Sequence, residues 1–183
     1  WVGVLISLWV IALGGGCEKA PTHGSLEDIL KSGEITVITR NNAHCYYVYR
    51  EQAMGFEYDL AKAFADFLGV KINVKTAHSW EEMIPSLAKG AGDFIAASVT
   101  ITPERQKQVL FSNGYKEIQQ HIIVHRNNRD VKKAADLSGK IVHVRRGTSY
   151  ADRLSALQKE GIDLKIELHE VTPTGERINR VAN

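Results

Sequence analysis

Short runs rich in β-branched residues alternate with helix-period segments along most of this chain, and that alternation constrains its fold more than any other feature. Ile35-Thr36-Val37-Ile38-Thr39 reads as a first strand. From Tyr58 to Leu68, the residues Leu60, Phe64, Phe67 and Leu68 recur at helical spacing, and Gly69 stops the helix. Val70 to Lys75 alternates as a strand with one covered face does. Ser79-Trp80-Glu81-Glu82 is a capping box that opens the next helix. Pro85 lies beyond its first turn and is expected to kink it. Asp93 to Ala97 gives a buried strand, and Gln119 to His125 another. After the polar run Asn127-Asn128-Arg129-Asp130 the pattern restarts. Ala134 to Gly139 leads to a strand over Ile141 to Val144 and a helix with Tyr150, Leu154 and Leu157 on one face. A strand over Leu164 to Leu168 follows, then a helix from Thr174. Strands joined by helices through short links imply parallel, doubly wound α/β sheets, whose ligands sit at the carboxyl ends of the strands.

The corner after Ala97 carries the chemistry. Thr102 is placed as an N-cap with Pro103 at the first helical position, so the corner offers backbone N–H groups and a positive dipole end to an anion. Arg105 adds a planar fork of donors suited to a carboxylate, and Ser98 and Thr100 add hydroxyls. The same residues also suit a capped surface helix with an ordinary exposed arginine. Arg145-Arg146-Gly147-Thr148-Ser149 repeats the polar corner ahead of the second unit's helix.

The charge balance narrows the partners. Net charge is +2 from 23 basic and 21 acidic residues, well mixed, which argues against nucleic acid or a polybasic membrane contact. A chain of 183 residues with 44% hydrophobic content supports one or two domains with a sizeable core. Two distant cysteines form neither a disulfide framework nor a metal-site spacing. His44 and Cys45 are neighbours, so in a strand they point to opposite faces. Glu57, Glu81 and Glu82 read as helix-entry residues. With no phosphate loop, metal-spaced histidines or nucleophile elbow, no catalytic residue, cofactor or metal is expected in this chain.

Trp1 to Leu13 is almost wholly apolar and runs into Gly14-Gly15-Gly16-Cys17, as a lipoprotein export signal does, with Cys17 the acylated residue. Leu13 stands four residues before Cys17 rather than three, so ordinary signal cleavage and an uncleaved anchor stay open. Without an initiator Met, the chain is expected to be cut at its start.

The run from Gly92 to Arg105, continuing through Val109 to Tyr115, closely resembles the signature of the family 3 periplasmic solute-binding proteins. So do the blocks from Gly55 to Ala65 and from Trp80 to Leu87. That resemblance implies a type II periplasmic-binding-protein fold, with two doubly wound lobes around a cleft and the second lobe incomplete. The implied organisation is an export-signal remnant over residues 1–17 and a tether over 18–33. Lobe 1 then covers 34–125, and a truncated lobe 2 covers 126–183. In the family, the residue matching Arg105 holds the ligand α-carboxylate and that matching Trp80 stacks on the ligand side chain; core packing is the alternative for Trp80. Ser98 and Thr100 match positions that meet the ligand, while Thr148 and Ser149 fall on the second-lobe loop that closes over the carboxylate. Tyr46 or Tyr47, in a loop expected to form a hairpin, would line the cleft. The acidic partner of a ligand amino group would lie past Asn183.

The words around Gly55–Val70 and Arg145–Tyr150 also resemble the module that precedes a lysozyme-like domain in membrane-bound lytic murein transglycosylases. The resemblance implies a periplasmic, membrane-anchored module, on the outer membrane if Cys17 is acylated. Its ligand would be an amino acid or a muropeptide, and its partner peptidoglycan through a following domain. The amino-acid receptor of an ABC transporter, with a permease as partner, is the other reading.

Overall fold

The computed structural model describes residues 24–169 and 174–182; Trp1–Leu13 and Cys17 lie outside them. Ser25 caps α1 (Leu26–Ser32) through a box with Asp28, and the chain turns at Gly33 into β1 (Glu34–Thr39). β1 becomes the centre of a parallel sheet because both its faces are apolar: Ile35, Val37 and Ile38 are all buried.

A hairpin follows, β2 (Tyr47–Tyr49) against β3 (Gln52–Met54), as the tyrosine-rich loop implied. Its two turn residues, Arg50 and Glu51, both take positive φ (47° and 64°), the geometry that matches the twist of a two-residue hairpin.

α2 (Phe56–Leu68) buries a different stripe from the one its apolar periodicity marks. Glu57, Ala61 and Ala65 face the sheet, whereas Phe67 is 84% exposed. Small side chains let the helix lie close on β1, and Phe64 reaches the sheet only by meeting Phe94 edge-on.

β4 (Lys71–Thr76) pairs with β1 in register, Ile35 with Ile72 and Val37 with Val74. α3 (Met83–Ala88) starts later than the capping box suggested. Ser79 does accept the Glu82 N–H, and Glu82 reaches back to the His78 N–H, but this closes a turn ahead of the helix proper. Pro85 therefore sits inside the first helical turn, where its missing N–H has no carbonyl to bond, and the expected kink does not arise. The ladder begins at Ser86, whose N–H meets Glu82 O at 2.8 Å.

β5 is only Phe94–Ile95, on the other side of β1. Ala96 N–H still bonds Ile38 O, but Ser98 then takes φ 52° and swings the chain off the sheet. α4 (Pro103–Gln106) is a single turn. Gln119–His125 is not a strand: no ladder partner runs beside it among the described residues, and Ile123 stands 57% exposed. An apolar run without a neighbour's N–H and C=O groups cannot form a ladder.

The second unit is β6 (Ile141–Arg145) and β7 (Lys165–His169), parallel and joined over α5 (Ser149–Lys159). A one-turn 3-10 helix (Ala134–Leu137) precedes β6, and α6 (Thr174–Ala182) comes last. Its core is separate from that of the first unit: Leu137, Val144, Leu154, Leu157 and Leu164. Among the described residues no helix is long and apolar enough to cross a membrane.

Candidate functional site

The first sheet runs β4-β1-β5, so the chain leaves β1 to one side and returns on the other. The crevice beyond the carboxyl ends of β1 and β5 is then the topological switch point, where open α/β sheets take their ligands. Arg40 leaves β1 there, and the Ser98–Arg105 corner leaves β5.

Arg105 is not a surface arginine. It is 8% exposed and lies between the two units. Its Nη1 donates to Thr100 O at 2.9 Å, within its own corner. Its Nη2 donates to Gly147 O at 3.1 Å, on the loop after β6. Asp152 Oδ2 of α5 stands 3.9 Å from the same nitrogen. Thr102 caps α4 by accepting the Arg105 N–H at 3.3 Å. Because α4 is one turn long, its dipole is small, and the guanidinium carries the corner's positive potential.

Trp80, half-buried beside the cluster of Ile38, Met83 and Ala97, presents its ring to two cations. The Arg105 guanidinium carbon lies 6.0 Å from the ring centroid and that of Arg40 4.6 Å. Arg40 belongs to no motif in the sequence; its only signal is its place at the end of the first strand. Burial, and the nearby charge of Arg145, push its pKa below the usual arginine value.

Thr100 and Ser149 meet across the two units, Ser149 Oγ donating to Thr100 Oγ1 at 3.2 Å. Gln120 Nε2 reaches Ser149 Oγ at 3.3 Å. Thr148 is the N-cap of α5, accepting the Ala151 N–H, and its own hydroxyl donates to Arg145 O at 2.7 Å. Glu81 presses on Gly147, where a Cβ would come within 2.8 Å of Glu81 Cγ. Arg105, Trp80, Thr100, Thr148 and Ser149 thus converge on the seam between the units.

Ser98, Tyr46 and Tyr47 are placed differently. Ser98 Oγ donates to buried Glu57 rather than into the seam. Tyr46 packs on Tyr58, ring centroids 5.5 Å apart, and Tyr47 is the first residue of β2, opposite Met54. Glu57 is also more than a helix-entry residue: it is 2% exposed and accepts hydroxyls from both Ser98 and Tyr115.

Two parallel α/β units with an arginine, an aromatic ring and hydroxyls gathered at the switch point between them define a two-lobed binding protein of the type II periplasmic-binding fold. An ancestral amino-acid-binding protein, a precursor of cyclohexadienyl dehydratase, superposes with a TM-score of 0.71 at 32% identity, covering 85% of this chain and 69% of that one. An ancestral arginine-binding protein bound to arginine gives 0.67 at 32% identity, covering 81% and 65%. The holo form of ArgBP from T. maritima gives 0.70 at 28% identity, covering 86% and 68%.

The profile of the bacterial extracellular solute-binding proteins, family 3, matches residues 35–147, and the chain belongs to that family. Among curated relatives, the membrane-bound lytic murein transglycosylase F of Desulfosudis oleivorans is 51% identical over 181 residues, covering 97% of this chain. That of Ectopseudomonas mendocina is 34% identical over 178 residues. The chain spans 40% and 36% of the length of these two relatives.

Proposed function

We propose that this chain is an exported solute-binding module that recognises a small carboxylate-bearing ligand, an amino acid or a muropeptide, and regulates a lytic murein transglycosylase in cell-wall turnover. The observation that carries the reading is Arg105 buried at the seam, its fork turned onto carbonyl oxygens of both units. A guanidinium has five N–H donors in a fixed plane, so a carboxylate entering the seam would replace the Gly147 carbonyl with a bidentate, charge-assisted partner. Arg40 and Arg145 add positive charge around it, which favours an anionic group. Trp80 offers a flat apolar face to the rest of the ligand, and Thr100, Thr148 and Ser149 would fix its orientation.

The module would sit in the periplasm, tethered by a lipid on Cys17, with peptidoglycan met through the additional length that the relatives carry. Its second reading, the amino-acid receptor of an ABC transporter and its permease, is favoured by the ancestral arginine-binding protein bound to arginine among the neighbours. Calorimetry with arginine, glutamine and a purified muropeptide tests both. Saturable heat with a muropeptide supports the cell-wall module, heat with free amino acids alone supports the receptor, and no heat with any of them overturns carboxylate recognition.

A further inference from the structure

We infer that His143, Glu167 and His169 form a binding site for a divalent transition-metal ion of the zinc class. The sequence gives no metal-ligand spacing, because the donors come from two different strands. Pairing brings them together: parallel register sets His143 opposite Glu167 and Arg145 opposite His169. Side chains alternate along each strand, so all three donors share one face of the β6–β7 ribbon. Val142, Val144 and Ile166 occupy the other face and pack into the second core.

The distances suit one ion. His143 Nδ1 lies 2.9 Å from His169 Nε2 and 3.2 Å from Glu167 Oε2, and the three ligand atoms all lie within 4.8 Å of one another. Tetrahedral zinc with ligand bonds of about 2.0–2.1 Å holds its donors roughly 3.3 Å apart. Two edges of that tetrahedron are therefore nearly formed, and a rotation of the Glu167 carboxylate closes the third. Two imidazoles with one carboxylate select zinc, nickel or copper over calcium and magnesium, which prefer oxygen throughout. His143 and Glu167 are open enough to admit an ion from solvent, and three protein ligands leave a fourth position for water. Among the described residues, a cation that competes for Glu167 is Lys165, whose Nζ stands 3.5 Å from Glu167 Oε1, a loose contact on an exposed side chain that a dication outcompetes.

The site shares no ligand with the Arg105 seam, so its test is independent of the proposed function. Zinc chloride titrated by calorimetry into the full chain at neutral pH should bind at one ion per chain with micromolar affinity. His143→Ala and His169→Ala should each weaken it about 100-fold or more. The double variant His121→Ala/His125→Ala should leave it unchanged. Glu167→Gln, on an exposed strand face, keeps the fold and should still weaken binding about tenfold. Cobalt in place of zinc should give visible d–d bands that vanish in His169→Ala. No uptake at micromolar zinc, or uptake that persists in both histidine variants, overturns the site.

Discussion

Glu57 Oε1 accepts a hydrogen bond from Ser98 Oγ at 2.5 Å, which ties the first turn of α2 to the corner that ends β5. The Tyr115 hydroxyl donates to the same oxygen, and His44 Nε2 stands 3.7 Å from it. One buried carboxylate therefore holds three separate stretches of chain around the corner that leads to Arg105. It also holds Ser98 at φ 52°, a left-handed conformation that a serine adopts only when its surroundings fix it.

Removing that carboxylate should loosen the corner. Glu57→Ala leaves two hydroxyl donors without their acceptor and opens a hole beside α2, so a loss of about 2–3 kcal/mol is expected. Glu57→Gln keeps an acceptor oxygen but not the charge and should cost about 1 kcal/mol. Urea unfolding of both variants measures this. Equal and negligible losses would mean the network contributes nothing to the fold.

Tyr115 gives a pH signature of the same contact. Burial first, and then its hydrogen bond to Glu57, push the phenol pKa up to about 12 from an ordinary 10.0. The folded chain thus holds this proton more tightly than the unfolded chain does. Its stabilising contribution is complete below pH 10 and is lost as pH rises through about 12. Ultraviolet titration of tyrosinate, with a Tyr115→Phe control, should show the Tyr115 phenol titrating late and moving to lower pH in Glu57→Gln, since the carboxylate charge is lost and the hydrogen bond that the phenol donates weakens.

Most of the fold was legible because periodicity reports directly on which face is covered. β1, β4, β6, β7 and α5 lie where alternation and helical spacing put them. The failures share a cause, namely packing partners that a local pattern does not contain. α2 turns alanines, not phenylalanines, to the sheet, since what counts is how closely the helix must approach. Gln119–His125 has the composition of a strand but no neighbour to pair with among the described residues. At the candidate site, Arg105, Thr100, Thr148 and Ser149 stood out in their motifs as proposed ligand contacts. Arg40, Glu57 and the Gly147 carbonyl did not, because their roles exist only once distant segments meet.

Two glycines flank α2 and should respond differently to alanine. Gly55 has φ 135°, and a Cβ there would sit 2.4 Å from Cys45 O and 2.9 Å from Tyr46 N, backbone atoms that cannot step aside. Gly69 has φ 70° with nothing within 4 Å. Gly55→Ala should therefore cost roughly 3 kcal/mol or more, and Gly69→Ala about 1 kcal/mol from the left-handed conformation alone. Denaturant midpoints compare them; equal losses would show that the α2 entry yields easily.

Arg105 is the position at which stability and recognition should separate. Arg105→Ala removes its bonds to the Thr100 and Gly147 carbonyls, two acceptors beside solvent, and should cost about 1–2 kcal/mol while the fold persists. Affinity for whichever carboxylate ligand calorimetry identifies should fall about 100-fold or more, since a charge-assisted bidentate pair is lost. Arg105→Lys keeps the charge without the planar fork, and the expected loss is about tenfold. The contrast between the two variants isolates geometry from charge. A lysine variant as weak as alanine would mean the planar fork is what the ligand needs. Unchanged affinity in Arg105→Ala, with unfolding still cooperative, would make the arginine a strut between the lobes and move the carboxylate to Arg40.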